Sequence, residues 1–467
     1  MSGVHLTPDT SQDILPPMNV VLLSTYDLGH QPFGLASPAA WLAEMGVAVT
    51  CVDVAVQPLA EAIPALQSAQ LIALYVPMHT ATRLAATLLP RLRRLNPTAH
   101  FCAYGLYAPM NEPYLRQLGV QTILGGEFEQ GLVDLAAALA EARPMALPPV
   151  SLARQQFRPP ARAGLPGLER YAHLQVNGAG QKVVGYTEAS RGCKHLCRHC
   201  PVVPVYNGRF RIIQPEIVLA DIRQQVAAGA QHITFGDPDF FNGPAHARHV
   251  VAALHREFPQ VTYDVVIKIE HVLRHADLLP LLRQTGCLFI TSAMESLDDD
   301  VLQIFDKQHN RADFLRALAL CRAADLPLVP TFVAFTPWTT AQGYAAFLAE
   351  LEALGLVDLV SPIQLAIRLL IPAGSKLLEL ATVQKLVRPF DEAALVYPWA
   401  HPDPAVDALY ETVFTAVKAS QNAGEPRRLT FERIWQAATA VLPAADIPTR
   451  TLSPTSVFVP TLSEEWY

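Results

Sequence analysis

Short apolar runs alternate with helical stretches along most of the chain, and this rhythm restricts the fold more than any other feature. Asn19 to Ser24, Val47 to Asp53, Leu71 to Val76, His100 to Tyr104 and Thr122 to Leu124 read as buried strands, with helices at Pro38 to Gly46 and Thr80 to Leu95 between them. Strand and helix at this spacing predict an α/β domain with a doubly wound parallel sheet, whose ligands bind at the strand C-termini. A second series starts at Val183 and continues through His232 to Phe235, Thr262 to Ile267, Leu288 to Thr291, Leu328 to Val333 and Pro362 to Ile367. Helices at Pro215 to Ala228 and Arg311 to Ala324 separate these strands, so the series predicts a partial (β/α)6 TIM barrel with its chemistry at the strand C-termini. The expected plan is an N-terminal extension over 1–17, a doubly wound domain over 18–142 and a linker over 143–182. A barrel over 183–394 and a helical C-terminal domain with an extended tail over 395–467 complete it.

Composition narrows the function. At about 150 residues per domain, 467 residues allow roughly three domains. A net charge of -7 argues against nucleic acid or an anionic membrane as partner, since both need a basic surplus. Apolar runs are cut by Pro, Arg or Asp before reaching the ~18 residues of a membrane span, and Met1 to Pro17 lacks the pattern of a signal peptide. A cytoplasmic protein is expected. Seven cysteines are too few and too unevenly spread for a disulfide scaffold, which favours metal or catalytic use.

Three of the seven, Cys193, Cys197 and Cys200, form C-x3-C-x2-C directly after the first strand of the second series. Three thiolates on one tight loop can hold three corners of a cubane cluster and leave the fourth iron open for chemistry. The alternative is a zinc site built from the same thiolates with His195 or His199, in a zinc- or iron-sulfur-stabilised binding or sensor protein. Cys51, Cys102, Cys287 and Cys321 lie in apolar surroundings and read as core residues.

This spacing at this place in a barrel resembles the radical S-adenosylmethionine (SAM) superfamily. The resemblance implies an enzyme with a 4Fe-4S cluster on Cys193, Cys197 and Cys200, and with SAM on the unique iron. Reductive cleavage of SAM would give a deoxyadenosyl radical. It further implies a small-molecule or peptide substrate and an electron donor such as flavodoxin or ferredoxin. His199 stands where the family usually has an aromatic residue near the adenine. Gly236 and Asp237, after the second strand, stand where the family receives the SAM amino group, without the commoner Gly-Gly-Glu. Glu295 and Ser296, with Lys307 downstream, look like the family's Glu-Ser element and lysine, and Glu295 is expected on a ribose hydroxyl or an arginine.

Lys268 and Glu270 alternate with apolar neighbours at the end of the third strand, so they point into a barrel mouth or form a solvated strand face. Arg368, in an otherwise apolar strand, demands an anionic partner such as the cofactor carboxylate or Glu295. An α/β domain before such a barrel resembles the cobalamin-binding subgroup of the superfamily. The matching small residues are Gly105, Gly125 and Gly126 at strand ends, where a nucleotide-like tail can approach the backbone. The Asp-x-His-x-x-Gly element that ligates cobalt is not present, and His30 reads as a loop residue. With cobalamin the resemblance implies radical methylation of an unactivated carbon; without it, rearrangement, oxidation, cleavage or sulfur insertion. A methylthiotransferase is disfavoured, because no second cysteine cluster or basic RNA-binding face is visible. Tyr397 to Asp403 and the closing Phe458 to Tyr467 resemble a radical SAM group ending in a Cys-Cys or Cys-selenocysteine tail followed by Ala-Glu-Pro. The expectation is that the gene reads on into such a tail, or that the chain ends at Tyr467.

Overall fold

The computed structural model describes residues 18–176, 180–451 and 459–464. They divide into two compact units, one of residues up to 25 with 34–165, the other of 26–33 with 166 onward. Residues 1–17, where the extension was expected, and residues 452–458 and 465–467 of the expected tail lie outside the described residues.

The first unit is built on β1 (Asn19–Ser24), β2 (Ala48–Asp53), β3 (Leu71–Tyr75), β4 (His100–Tyr104), β5 (Thr122–Gly126) and β6 (Val150–Ser151). They form one parallel sheet in the order β2-β1-β3-β4-β5-β6. The two-residue period of a strand is explicit in β1: Val20 and Leu22 pack on one side with Leu35 and Leu42, while Val21 and Leu23 pack on the other with Leu89 and Leu92. Both faces are therefore cores, which explains why these strands show no polar alternation. Burying each such Leu or Val contributes about 1.5–3 kcal/mol. The helix His79–Leu95 shows the complementary pattern, with Ala81, Ala85, Leu89 and Leu92 buried at helical spacing and Arg93 and Arg94 in its last turn, where cations suit the helix dipole.

The second unit is a curled sheet of β7 (His173–Val176), β8 (Gly180–Thr187), β11 (His232–Phe235), β12 (Thr262–Val266), β13 (Cys287–Glu295), β14 (Leu328–Phe332) and β15 (Thr461–Leu462), in the order β14-β13-β12-β11-β8-β7-β15. The short strands β9 (Ser190–Gly192) and β10 (Phe210–Ile212) pair separately and antiparallel. β8 and β11 to β14 are parallel, whereas β7 pairs antiparallel with both β8 and β15. The sixth strand expected at Pro362 to Ile367 is instead a 3-10 turn, Pro362–Ala366, followed by one parallel bridge between Phe335 and Arg368. Pro362 lacks an N–H and starts a helical turn readily, so apolar content alone misassigned this segment. Residues 143–182, expected as a linker, include β6, β7 and the start of β8; strands this short show no periodicity. The C-terminal helices are Pro404–Asn422 and Arg427–Ala440, the first capped by Asp403, whose carboxylate accepts from the Ala405 N–H at 2.9 Å. No helix among the described residues is long and apolar enough to cross a membrane.

Candidate cofactor site

The three clustered cysteines follow β9 on a loop at the C-terminal end of β8, with Cys197 buried and Cys193 and Cys200 half-buried. All seven cysteines are free thiols. Burial pushes the Cys193 thiol up to about 11 and the Cys200 thiol up to about 12, so loading a metal must displace protons. The loop is anchored at both ends. Asp237 accepts from the Ala189 N–H at 2.9 Å and the Ser190 hydroxyl at 2.5 Å, and Asn242 Oδ1 accepts from the Lys194 N–H at 3.3 Å. Beyond Cys197, the Arg198 N–H donates to the Phe305 carbonyl at 2.8 Å, and the Arg198 carbonyl accepts from Ser375 Oγ at 3.1 Å.

Two buried ionic networks flank the loop. In the first, His195 lies between the ends of β11 and β12. Lys268 Nζ donates to His195 Nδ1 at 3.1 Å, which leaves the proton on Nε2, 3.5 Å from Asp239. His271 Nδ1 approaches the same Asp239 oxygen at 2.5 Å, and Glu270 lies 3.6 Å from Lys268. Burial raises the Asp239 carboxyl, but the two imidazoles prevail and hold it at about 2; burial also lowers His195. In the second network Glu295 Oε1 receives His199 Nε2 at 3.1 Å and Lys307 Nζ at 3.3 Å, while the His199 ring packs on Phe305 with centroids 4.4 Å apart. Burial opposes the Glu295 charge, yet Lys307 and His199 hold its carboxyl at about 2.

These distances separate the two metal readings. A single zinc ion with Zn–S bonds of about 2.3 Å draws its thiolates to within roughly 4 Å of one another. Among the described residues, the set of potential ligand atoms that all lie within 4.8 Å is Cys193, His195 and Asp239, without Cys197 or Cys200. The alternative Cys3His tetrahedron is therefore not gathered. A cubane needs no such set, because it places each cysteine on a different iron.

Residues 187–341 match the model of the radical SAM superfamily. This stretch is a radical SAM domain. The radical SAM fold implies a 4Fe-4S cluster and SAM, and the chain offers three thiols on one loop within the matched residues. A 151-residue stretch, 32% of the chain, is 24% identical to the hopanoid C-3 methylase of Methylococcus capsulatus and spans 29% of that protein's length. The structure resembles TsrM, a radical SAM methyltransferase from Kitasatospora setae solved with tryptophan and a SAM analogue, over 79% of this chain and 77% of that one, at 18% identity and a TM-score of 0.60. It also resembles the cobalamin-dependent radical SAM enzyme OxsB, solved with aqua-cobalamin and SAM, over 90% of this chain and 72% of that one, at 13% identity and a TM-score of 0.65. At these identities the two likenesses are of fold.

Within this radical SAM fold several expected positions meet at the barrel mouth and others do not. His199, Lys268 and Glu295 lie beside the cluster loop, as do Asp239 and His271, whose part was not singled out from the sequence. The signal available for them was their place at the ends of the second and third barrel strands. Both oxygens of Asp237 are engaged by the loop, where it braces Ala189 and Ser190. Gly236 is small because a Cβ there would fall 1.8 Å from the Tyr186 hydroxyl. Arg368 meets a different anion from Glu295. Its guanidinium bonds Asp407 at 2.7 Å and the Trp399 carbonyl at 3.0 Å and lies 3.7 Å from the Trp399 ring centroid. His30 belongs to the second unit, stacked on Tyr186, and burial lowers its imidazole to about 4.

In the first unit, a Cβ on Gly126 (φ +70°) would lie 2.3 Å from the Ser151 carbonyl, one on Gly125 would lie 2.2 Å from Pro109, and one on Gly105 would lie 3.0 Å from the Val76 carbonyl. These glycines thus admit the chain's own atoms at the strand ends. Gly125 nevertheless borders a cavity of about 360 Å³, lined also by Trp41, Leu124, Phe128, Gly131 and Arg154. Its size lies at the lower end of the roughly 300–1,000 Å³ typical of ligand pockets, and Arg154 offers a cation, so the residues fit a nucleotide-like tail. A second cavity of about 290 Å³ lies beyond Glu295, bordered by Ser296, Trp338, Thr340 and Phe347.

Proposed function

We propose that this protein is a cobalamin-dependent radical SAM methylase that transfers a methyl group to an unactivated carbon of a small-molecule or peptide substrate. The observation that carries the reading is the pairing, in one chain, of a three-thiol loop at the mouth of a half-barrel with a doubly wound unit that holds a nucleotide-sized cavity. The cobalamin-dependent fold of OxsB and the methylase activities named for TsrM and the hopanoid enzyme support it. When bound, the cluster and a reductant of the flavodoxin or ferredoxin class supply the electron that cleaves SAM, and cobalamin supplies a transferable methyl group.

The chain's own residues have four tasks. Cys193, Cys197 and Cys200 hold the cluster. Lys268 offers a cation to a carboxylate and Glu270 an anion to an amino group, both beside the loop. Asp237 and Asn242 keep the loop rigid, so the open face presents one geometry. The buried aromatic and aliphatic walls of the barrel exclude water around the reacting atoms.

Purification and reconstitution without oxygen test the reading. The expected result is about four irons per chain, broad visible absorbance, SAM-dependent release of 5'-deoxyadenosine after reduction, and hydroxocobalamin that stays with the protein through gel filtration. A colourless protein holding one zinc refutes the radical reading. Full iron and 5'-deoxyadenosine with no corrinoid retained refutes the methylase and leaves a cobalamin-independent radical enzyme.

A further inference from the structure

Lysine is rarely buried unless paired, and an isolated buried ammonium tends to lose its proton. The Lys307 side chain is only 4% exposed, and Glu295, at 3.3 Å, supplies the pairing. Glu295 also takes His199, the residue before Cys200, so one carboxylate ties the lysine to the cluster loop. The backbone is bent to make this contact. Glu295 sits at φ +70° where the register of β13 against β14 shifts, and Gln308, next to Lys307, sits at φ +60°. Non-glycine residues in the left-handed region persist only where surrounding structure holds them, and such strain collects at functional sites. The loop is fastened to the same segment a second time: the Arg198 N–H donates to the carbonyl of Phe305, two residues before Lys307, at 2.8 Å. The lysine is thus held beside the stretch from Cys197 to Cys200 by contacts on both Arg198 and His199.

We propose that Lys307 is a positioning residue for the iron-sulfur cluster: Glu295 holds its ammonium against the Cys197 and Cys200 side of the loop, where a fixed positive charge makes the cluster easier to reduce. Reduction adds one negative charge to the cluster, and a nearby cation in a poorly screened interior stabilises that charge more than the oxidised state. The Glu295–Lys307 pair is thus an element of redox tuning in addition to a brace for the loop. The inference rests on the cluster assigned to the three cysteines.

The test is a redox titration of the reconstituted protein, read by electron paramagnetic resonance, with iron and sulfide measured on the same samples. At a fixed solution potential near the wild-type midpoint, Lys307→Met is expected to hold full iron while its ratio of reduced to oxidised cluster falls about tenfold, equivalent to about 59 mV for one electron. Lys307→Arg is expected to stay within threefold of wild type. Glu295→Gln, which leaves the buried ammonium without its counter-charge and so favours loss of its proton, is expected to lower the ratio in the same direction as Lys307→Met. Full iron in Lys307→Met with an unchanged ratio overturns the inference. Loss of iron from both Lys307 variants, with wild type fully loaded, also overturns it and leaves a structural brace. A wild-type protein that takes up no cluster refutes the assignment beneath it, and so is distinguishable from both.

Discussion

Asp237 and Asp239 are two residues apart and fall on opposite sides of the ordinary carboxylate range. Burial raises Asp237 to about 7 from the usual 3.8, because it meets neutral donors and no cation. Asp239 is equally buried but faces two imidazoles, and Glu295 faces a lysine and an imidazole; both are held at about 2. The signs follow from linkage. The Asp237 contribution to stability is fully present below pH 3.8 and is lost as pH rises through about 7. Those of Asp239 and Glu295 are present above their usual 3.8 and 4.5 and are lost as pH falls through about 2. Thermal unfolding followed across pH 3 to 8 is expected to show declining stability at both ends, and Asp237→Asn is expected to flatten the decline between pH 5 and 8. An unchanged profile in that variant would show that the carboxyl does not titrate there. At the same scale, Cys200→Ser is expected to reduce bound iron several-fold with an unaltered circular dichroism spectrum.

At the scale of elements, Arg368 fastens the helix Pro404–Asn422 to the end of the barrel. Its partner Asp407 lies one turn inside that helix, and Trp399 and Tyr410 flank the guanidinium. Arg368→Ala is expected to cost about 1–3 kcal/mol in chemical denaturation, through a cation–π contact and a partly exposed ion pair, while iron content stays at the wild-type level. Loss of iron at preserved stability would return Arg368 to the cofactor. The end of β11 sets a steric limit of a different kind. Gly236→Val places a branched side chain in the space of the Tyr186 ring and is expected to lower stability by at least about 1–3 kcal/mol, measured as a fall in melting temperature.

At the scale of the molecule, the two units carry separate cores and separate candidate cofactor sites. Replacing Cys193, Cys197 and Cys200 together by alanine is expected to abolish iron binding and leave hydroxocobalamin retention within twofold of wild type. Joint loss of both would mean that the corrinoid site depends on an intact cluster loop. The two strand–helix series were legible in the sequence because mainly apolar strands alternate with helices in each. The three-thiol loop was legible for a related reason: three thiols within eight residues must share a neighbourhood whatever the fold.

Other features depended on contacts that no local pattern encodes. His199 and Glu295 are 96 residues apart, and Arg368 and Asp407 are 39 apart. An arginine in an apolar stretch announces that it needs an anion, but the sequence holds many anions, and only packing of the C-terminal helix selects Asp407. The Gly-Asp turn after β11 was legible as a turn, but the two loop donors that Asp237 accepts come from 47 and 48 residues away. The sequence by itself determined the two α/β series and the grouping of three thiols on one loop, because hydrophobic period and close spacing are local properties. The tertiary structure decided which charges pair and which carboxylates face the loop or the cofactor, because burial turns a weak Coulomb preference into a requirement that each buried charge meet a specific partner.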